Sequence, residues 1–166
     1  AKNMINTFFF NLNAIKSGQS RPKDVPKYKP QKVGILGAGM MGAGIAYAQA
    51  SRGIATVLKD VSLEKAEHGK AYSQKLTQSR VDKGRMNPHD QTALLGRITP
   101  TADVADLKGC ELIIEAVFEN RELKAKVTQE AEPLLAEGGF FASKTSTLPI
   151  SGLAQASKRS EKFIGI

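Results

Sequence analysis

Lys32-Val33-Gly34-Ile35-Leu36-Gly37-Ala38-Gly39-Met40-Met41-Gly42-Ala43-Gly44 is an apolar strand that breaks into a glycine turn and then opens a helix. The spacing of Gly37, Gly39 and Gly42 matches three separate needs of a nucleotide-binding crossover. The first glycine permits a tight turn, the second lets the backbone approach a pyrophosphate, and the third lets the helix pack on the strand it has just left. Free N–H groups and the positive end of the helix dipole, about half an elementary charge, favour an anion at that helix start.

Glycine turns are common, so the flanking sequence has to agree, and it does. A helix over 39–51 with Met41, Ile45 and Ala48 at helical spacing ends near Gly53 and leads into a second strand, Ala55-Thr56-Val57-Leu58-Lys59-Asp60. Asp60 follows Gly42 by 18 residues. A carboxylate at the tip of the second strand is where a Rossmann domain holds the adenine ribose hydroxyls, and it repels the extra phosphate of NADP. The expected cofactor is NAD, although Lys59 beside the acid works against that discrimination.

The chain has 166 residues, enough for one domain with a substantial core and too few for two full ones. Its net charge of +8 invites a nucleic-acid reading. Residues 1–32 hold seven of the basic residues and one acid, a net of +6, and the remainder carries only +2. The positive field therefore belongs to the leading segment, which argues against nucleic acid as a partner. No apolar run approaches the roughly 20 residues of a membrane span. Cys110 is alone, suits a reducing compartment, and reads as a buried small residue at a strand start. Nothing among these opening residues is expected to act as a signal peptide, because the apolar Phe8-Phe9-Phe10 is short and hemmed by Asn.

Met4, Ile5, Phe8, Leu12 and Ile15 share one helical face, so residues 3–16 are expected to form an amphipathic helix that needs a surface to lie on. Gly18, Ser20, Pro22, Pro26 and Pro30 among Lys and Arg make the following stretch a linker, and the domain proper starts at residue 32. Past the second strand, Ser62 caps a helix from Leu63 to about Gly84, with Ala66, Ala71, Leu76 and Val81 as its apolar positions. Pro88 opens a second helix ending near Gly96, and the pair predicts a protruding antiparallel arm. Ile98-Thr99-Pro100-Thr101 reads as a strand at a sheet edge, because Pro100 cannot donate to a ladder.

Glu111 to Val117 is a near-continuous apolar strand of the buried parallel kind. A helix from Asn120 to about Glu137, a strand Phe140–Ser143, a short helix Leu153–Ser157 and a last strand Lys162–Ile166 complete the chain. The alternation specifies an α/β fold, a Rossmann-type doubly wound parallel sheet, with ligands bound beyond the carboxyl ends of its strands. Glu119, Lys124 and Ser146 stand just past those ends. Glu119 and Lys124 form an acceptor and donor pair for a nicotinamide ribose or phosphate, or else a helix-start acid and an ordinary exposed lysine. Ser146 either bonds a substrate oxygen or caps a turn. His68 and His89 fall on the arm, away from the strand ends, and no cluster of residues has metal-ligand spacing.

The glycine turn through Ala46, the acid at Asp60, Ile114-Glu115-Ala116-Val117-Phe118-Glu119-Asn120 and Thr145-Ser146-Thr147-Leu148-Pro149-Ile150 stand in an order and spacing that resembles the L-3-hydroxyacyl-CoA dehydrogenases, from Lys32 to Ile166. The leading segment resembles the connection that follows the enoyl-CoA hydratase domain in multifunctional fatty-acid oxidation enzymes. The resemblance implies oxidation of the 3-hydroxyl of an acyl-CoA with hydride transfer to NAD. It implies cofactor contacts at Met41, with Met40 beside it, and at Asp60, Val117, Glu119, Lys124 and Ser146. Ser146 is also placed close to the substrate oxygen.

By the same resemblance the arm contacts CoA, with Ser73, Arg80 and Lys83 on the stretch concerned, though surface roles compete there. The implied partners are an acyl-CoA substrate, further domains of a parent chain and a thiolase subunit. The implied location is the cytoplasm of a bacterium, or a mitochondrion or peroxisome in a eukaryote. Lys144 departs from the family, which has Asn there. The family's catalytic histidine and its glutamate partner follow the strand matching Phe163–Ile166, so the general base is expected to lie beyond these residues, and the stretch alone is expected to bind NAD without turnover. Two rival readings are a stand-alone 3-hydroxybutyryl-CoA dehydrogenase and a non-catalytic Rossmann scaffold or assembly module.

Overall fold

The computed structural model describes residues 1–19 and 21–166; Ser20, read above as part of the linker, lies outside the described residues. The leading helix is α1 (Lys2–Met4), wide π-type turns over Ile5–Asn11, and α2 (Leu12–Lys16). Its apolar face is uncovered, with Met4, Ile5, Phe8 and Ile15 all exposed. Residues 21–31 contain neither helix nor strand. The end of this linker is nevertheless tied down. Tyr28 donates its hydroxyl to the Glu111 carbonyl at 2.8 Å and sets its ring edge-on to Phe140, and the Gln31 N–H donates to the Glu111 carboxylate.

The domain then alternates strand and helix: β1 (Lys32–Leu36), α3 (Met40–Ala50), β2 (Ala55–Lys59), α4 (Leu63–Asp82), α5 (Pro88–Gly96), β3 (Ile98–Thr101), β4 (Cys110–Glu115), α6 (Arg121–Ala131), β5 (Leu135–Ser143), α7 (Ile150–Leu153) and β6 (Phe163–Gly165). All strand pairs are parallel, in the order β3-β2-β1-β4-β5-β6. That is the doubly wound order, and Pro100 does lie in an edge strand. The direction of winding reverses between β1 and β4, which opens a crevice beyond their carboxyl ends.

Strand alternation divides the core between the two faces of the sheet. Val33, Ile35, Leu58, Ile98, Ile114 and Ala142 pack with Ala46 and Ala50 of α3 and Leu94 of α5. Leu36, Val57, Ile113, Phe141 and Phe163 pack with Ala131 of α6, Leu153 of α7 and Leu107.

Several boundaries and faces differ from the sequence reading. In α3 the buried stripe is Gly42, Ala43, Ala46 and Ala50, while Met41 is exposed. In α4 it is Ala66, Gly69, Ser73 and Thr77, not Ala71, Leu76 and Val81. The reason is proximity. A Cβ on Gly69 would lie 2.7 Å from both Cβ and O of Ala38, so at this position α4 lies too close to the glycine turn for any side chain. Helix α6 stops at Ala131 rather than near Glu137, because Pro133 has no N–H to continue the ladder, and residues 132–134 tighten into a 3-10 turn. The freed chain enters β5 early, at Leu135.

Candidate functional site

The glycine turn separates fold requirements from binding requirements. Gly37 has φ of 92°, and a Cβ there would lie 2.8 Å from the Ala116 oxygen. A Cβ on Gly42 would lie 1.8 Å from the Gly37 oxygen. These two glycines are demanded by the backbone itself. Gly39 is different, since a Cβ there would meet nothing within 4 Å. It is the N-cap of α3, has no side-chain cap and opens on the cleft, which leaves room for a pyrophosphate against the helix start.

Asp60 is placed by that turn. One carboxylate oxygen accepts the Ala38 N–H at 2.6 Å and the other accepts the Val61 N–H at 2.7 Å. Each oxygen retains a lone pair, so the carboxylate can still accept from two vicinal hydroxyls. The cleft it borders has a volume of ≈ 660 Å³ and includes Gly39, Met40, Asp60, Val117 and Phe118. That size is in the range of small-molecule sites. Met40 and Phe118 are 84% and 86% exposed, two apolar side chains left at its mouth. His68 also borders this cleft, with Glu64 and Lys65, and so is not remote from the strand ends as its position on the arm suggested.

A second cluster joins the ends of β4 and β5. Glu115, fully buried, accepts from Lys124 Nζ at 2.9 Å on each oxygen, from Ser143 Oγ at 2.7 Å and from the Val117 N–H at 2.8 Å. Lys124 is 1% exposed, donates also to the Lys144 carbonyl at 3.0 Å, and lies 3.4 Å from Glu119 Oε2. It is therefore not an ordinary exposed lysine. The Oε1 of Glu119 accepts from the Thr145 hydroxyl, from the Ser146 N–H at 3.2 Å and from the Thr147 N–H at 3.4 Å. The Thr145 hydrogen bond above all, with the Ser146 amide and the Lys124 ammonium adding to it, holds the Glu119 carboxyl at about 2, well below its ordinary value.

The structure thus brings Gly37, Gly39, Met40, Met41, Asp60 and Val117 to one cleft. It links Glu119, Lys124 and the Ser146 loop in a hydrogen-bonded cluster beside a second hollow of ≈ 440 Å³, lined by residues 145–150, Gly165 and Ile166. Ser73 is not a surface residue: it is fully buried, and its hydroxyl is the one buried side-chain polar atom without a partner among the described residues. Arg80 donates to the Tyr47 hydroxyl at 2.7 Å. Glu115 escaped the sequence reading. Its signal is a charged residue directly after the apolar run Leu112-Ile113-Ile114.

Residues 32–166, the whole of this α/β unit, match the family described as 3-hydroxyacyl-CoA dehydrogenase, NAD binding domain. The chain belongs to this family. It is 41% identical over 132 residues to the fatty acid oxidation complex subunit alpha of Psychrobacter arcticus, which covers 80% of this chain and 18% of that relative. Among solved structures, (S)-3-hydroxybutyryl-CoA dehydrogenase from Ralstonia eutropha superposes with a TM-score of 0.78 at 34% identity, over 82% of this chain and 48% of that one. 3-Hydroxybutyryl-CoA dehydrogenase from Escherichia coli K12 gives 0.79 at 29% identity, over 83% and 29%. The chain therefore spans under a fifth of the curated relative and at most about half of these two structures. Membership of this family makes the unit an NAD-binding domain. No helix among the described residues is long and apolar enough to cross a membrane.

Proposed function

We infer that this chain is the NAD-binding part of a 3-hydroxyacyl-CoA dehydrogenase acting in fatty-acid β-oxidation, within a larger bacterial protein working in the cytoplasm. The observation that carries the reading is the division of labour at the switch point. Asp60 and the glycine turn present a ribose acceptor and a phosphate seat at β1 and β2, while Glu119 and Ser146 present polar groups at β4 and β5.

Bound NAD supplies the hydride acceptor. Gly39 gives its pyrophosphate room, and the α3 N–H groups meet the charge. Asp60 accepts from the adenine ribose and disfavours a 2′-phosphate. Met40, Met41 and Val117 line the path between the two ends. Glu119, ionised throughout the physiological range, accepts from the nicotinamide ribose, with Lys124 behind it. Ser146 donates its hydroxyl to the 3-oxygen of an acyl-CoA. The remaining partners in this reading are the other domains of the parent chain and a thiolase subunit.

The test is the full-length protein supplied with 3-hydroxybutyryl-CoA and NAD and followed by NADH absorbance. NADH formation is expected, with Ser146→Ala lowering kcat/KM by about tenfold or more. No NADH formation, or indifference to Ser146→Ala, contradicts the assignment.

A further inference from the structure

Glu115 has no role in the site as described so far, yet three elements converge on it. The loop after β4 supplies the Val117 N–H, α6 supplies Lys124, and the end of β5 supplies the Ser143 hydroxyl. Strand register explains the last contact, since Glu115 lies directly across from Ser143 in the β4–β5 ladder. Stability alone is a weak reason for such a group. Taking a carboxylate and an ammonium out of water costs several kcal/mol per ion, and well-packed apolar residues often replace such a pair at no loss. The preceding residues of β4, Ile113 and Ile114, show that this strand is well able to carry apolar side chains.

The geometry of Lys124 supplies a functional reason. An ammonium has three N–H donors. One side of it faces the Glu115 carboxylate, another the Lys144 carbonyl, and the third approaches Glu119 Oε2 at 3.4 Å. A single positive charge is therefore shared between a buried carboxylate and one at the strand ends. With both acids ionised the three groups carry net −1, so Glu119 is steadied without being fully neutralised. Without the Glu115 charge, Lys124 would turn its whole charge on Glu119, draw Oε2 into a closed pair away from any ribose hydroxyl, and pull Oε1 off residues 145–147.

We propose that Glu115 is a positioning residue for the nicotinamide half of the cofactor, anchoring Lys124 and the end of β5 so that Glu119 stays open at the strand ends. This rests on the NAD reading above. It predicts that the two halves of the nucleotide are affected unequally, because the glycine turn and Asp60 make no hydrogen bond to this cluster among the described residues.

The experiment is calorimetric titration of the full chain with NADH and with ADP, which has the adenosine and pyrophosphate but lacks the nicotinamide riboside. Glu115→Gln is expected to weaken NADH by about tenfold while ADP stays within about twofold. Ser143→Ala, which removes one donor to Glu115 and leaves both charges, is expected to weaken NADH by about two- to fivefold with ADP unchanged. Glu115→Gln/Lys124→Met removes both buried charges and is expected to fold; Glu119 then has no anchored cation behind it, so NADH is expected to weaken while ADP stays within about twofold. Variants that bind NADH as the unaltered chain does, or that lose ADP and NADH in equal proportion, overturn the proposal. If Glu115→Gln and the double variant fail to fold, Ser143→Ala decides the matter by the same two criteria. An unaltered chain that binds neither nucleotide overturns the NAD reading itself, and this inference with it.

Discussion

Lys124 Nζ lies 2.9 Å from both carboxylate oxygens of Glu115, and the two side chains are almost wholly removed from water. Lysine and glutamate separately belong on surfaces; together, with Ser143, Val117 and Lys144 completing their hydrogen bonds, they can be buried. The pair welds α6 to the carboxyl ends of β4 and β5, where the proposed nicotinamide end lies.

Breaking that pair from one side should be costly. Lys124→Met leaves an uncompensated buried carboxylate, and a loss of about 3–5 kcal/mol is expected in urea denaturation. Adding Glu115→Gln should restore most of it, because the uncompensated charge is then gone. Equal stability of the single and double variants would show that the ion pair does not bear on folding.

Gly39 and Gly42 should respond differently to the same added methyl group. At Gly42 the Cβ would meet the Gly37 oxygen at 1.8 Å, so Gly42→Ala must displace backbone and should cost about 3 kcal/mol or more. Gly39→Ala meets no atom within 4 Å, and its stability should stay within about 1 kcal/mol. Nucleotide affinity should nevertheless fall in Gly39→Ala. Denaturation and NADH titration of the same two proteins separate the effects.

Glu119 should remain ionised well into the acid range. Its carboxyl is lowered from 4.5 to about 2, so its hydrogen bonds to residues 145–147 are fully present above about 4.5 and are lost as pH falls from there through 2. Thr145→Val removes the largest cause, and the Glu119 midpoint should rise toward the ordinary carboxylate value. Titration of the Glu119 carboxyl by NMR in the two proteins reads this directly. An unshifted midpoint would assign the depression to other groups.

Cys110 should be inert while the chain is folded. Burial pushes its thiol up to about 11, with Lys32 lowering it and Glu111 raising it by smaller amounts, so it carries no thiolate at neutral pH. A thiol reagent should modify the native chain no faster than it unfolds, and a urea-unfolded chain at once. As the single cysteine, it makes the rate a direct measure of opening at the start of β4.

Much of the fold was legible because some residue types have few uses. Gly37 and Gly42 are forced by backbone geometry, and Pro100 confines β3 to an edge, so residue identity and spacing announce them. Pro133 is equally informative, since a residue without an N–H ends α6 at Ala131 rather than near Glu137. The buried face of α4 is hidden from hydrophobic periodicity for another reason. Close approach to Ala38 demands glycine at 69, and small polar Ser73 and Thr77 continue the buried stripe, whereas hydrophobic periodicity points to Leu76 and Val81. The least legible part was the state of Lys124. Its partner Glu115 is nine residues earlier on a different element, and only the folded chain brings the two together.

The most direct measurement is calorimetric titration of the chain with NADH and NADPH, before and after Asp60→Ala. A single NADH site is predicted, with NADPH bound more weakly, and Asp60→Ala should weaken NADH and narrow the difference between the two. Binding of neither nucleotide, or a preference for NADPH that Asp60→Ala leaves unchanged, would contradict the account.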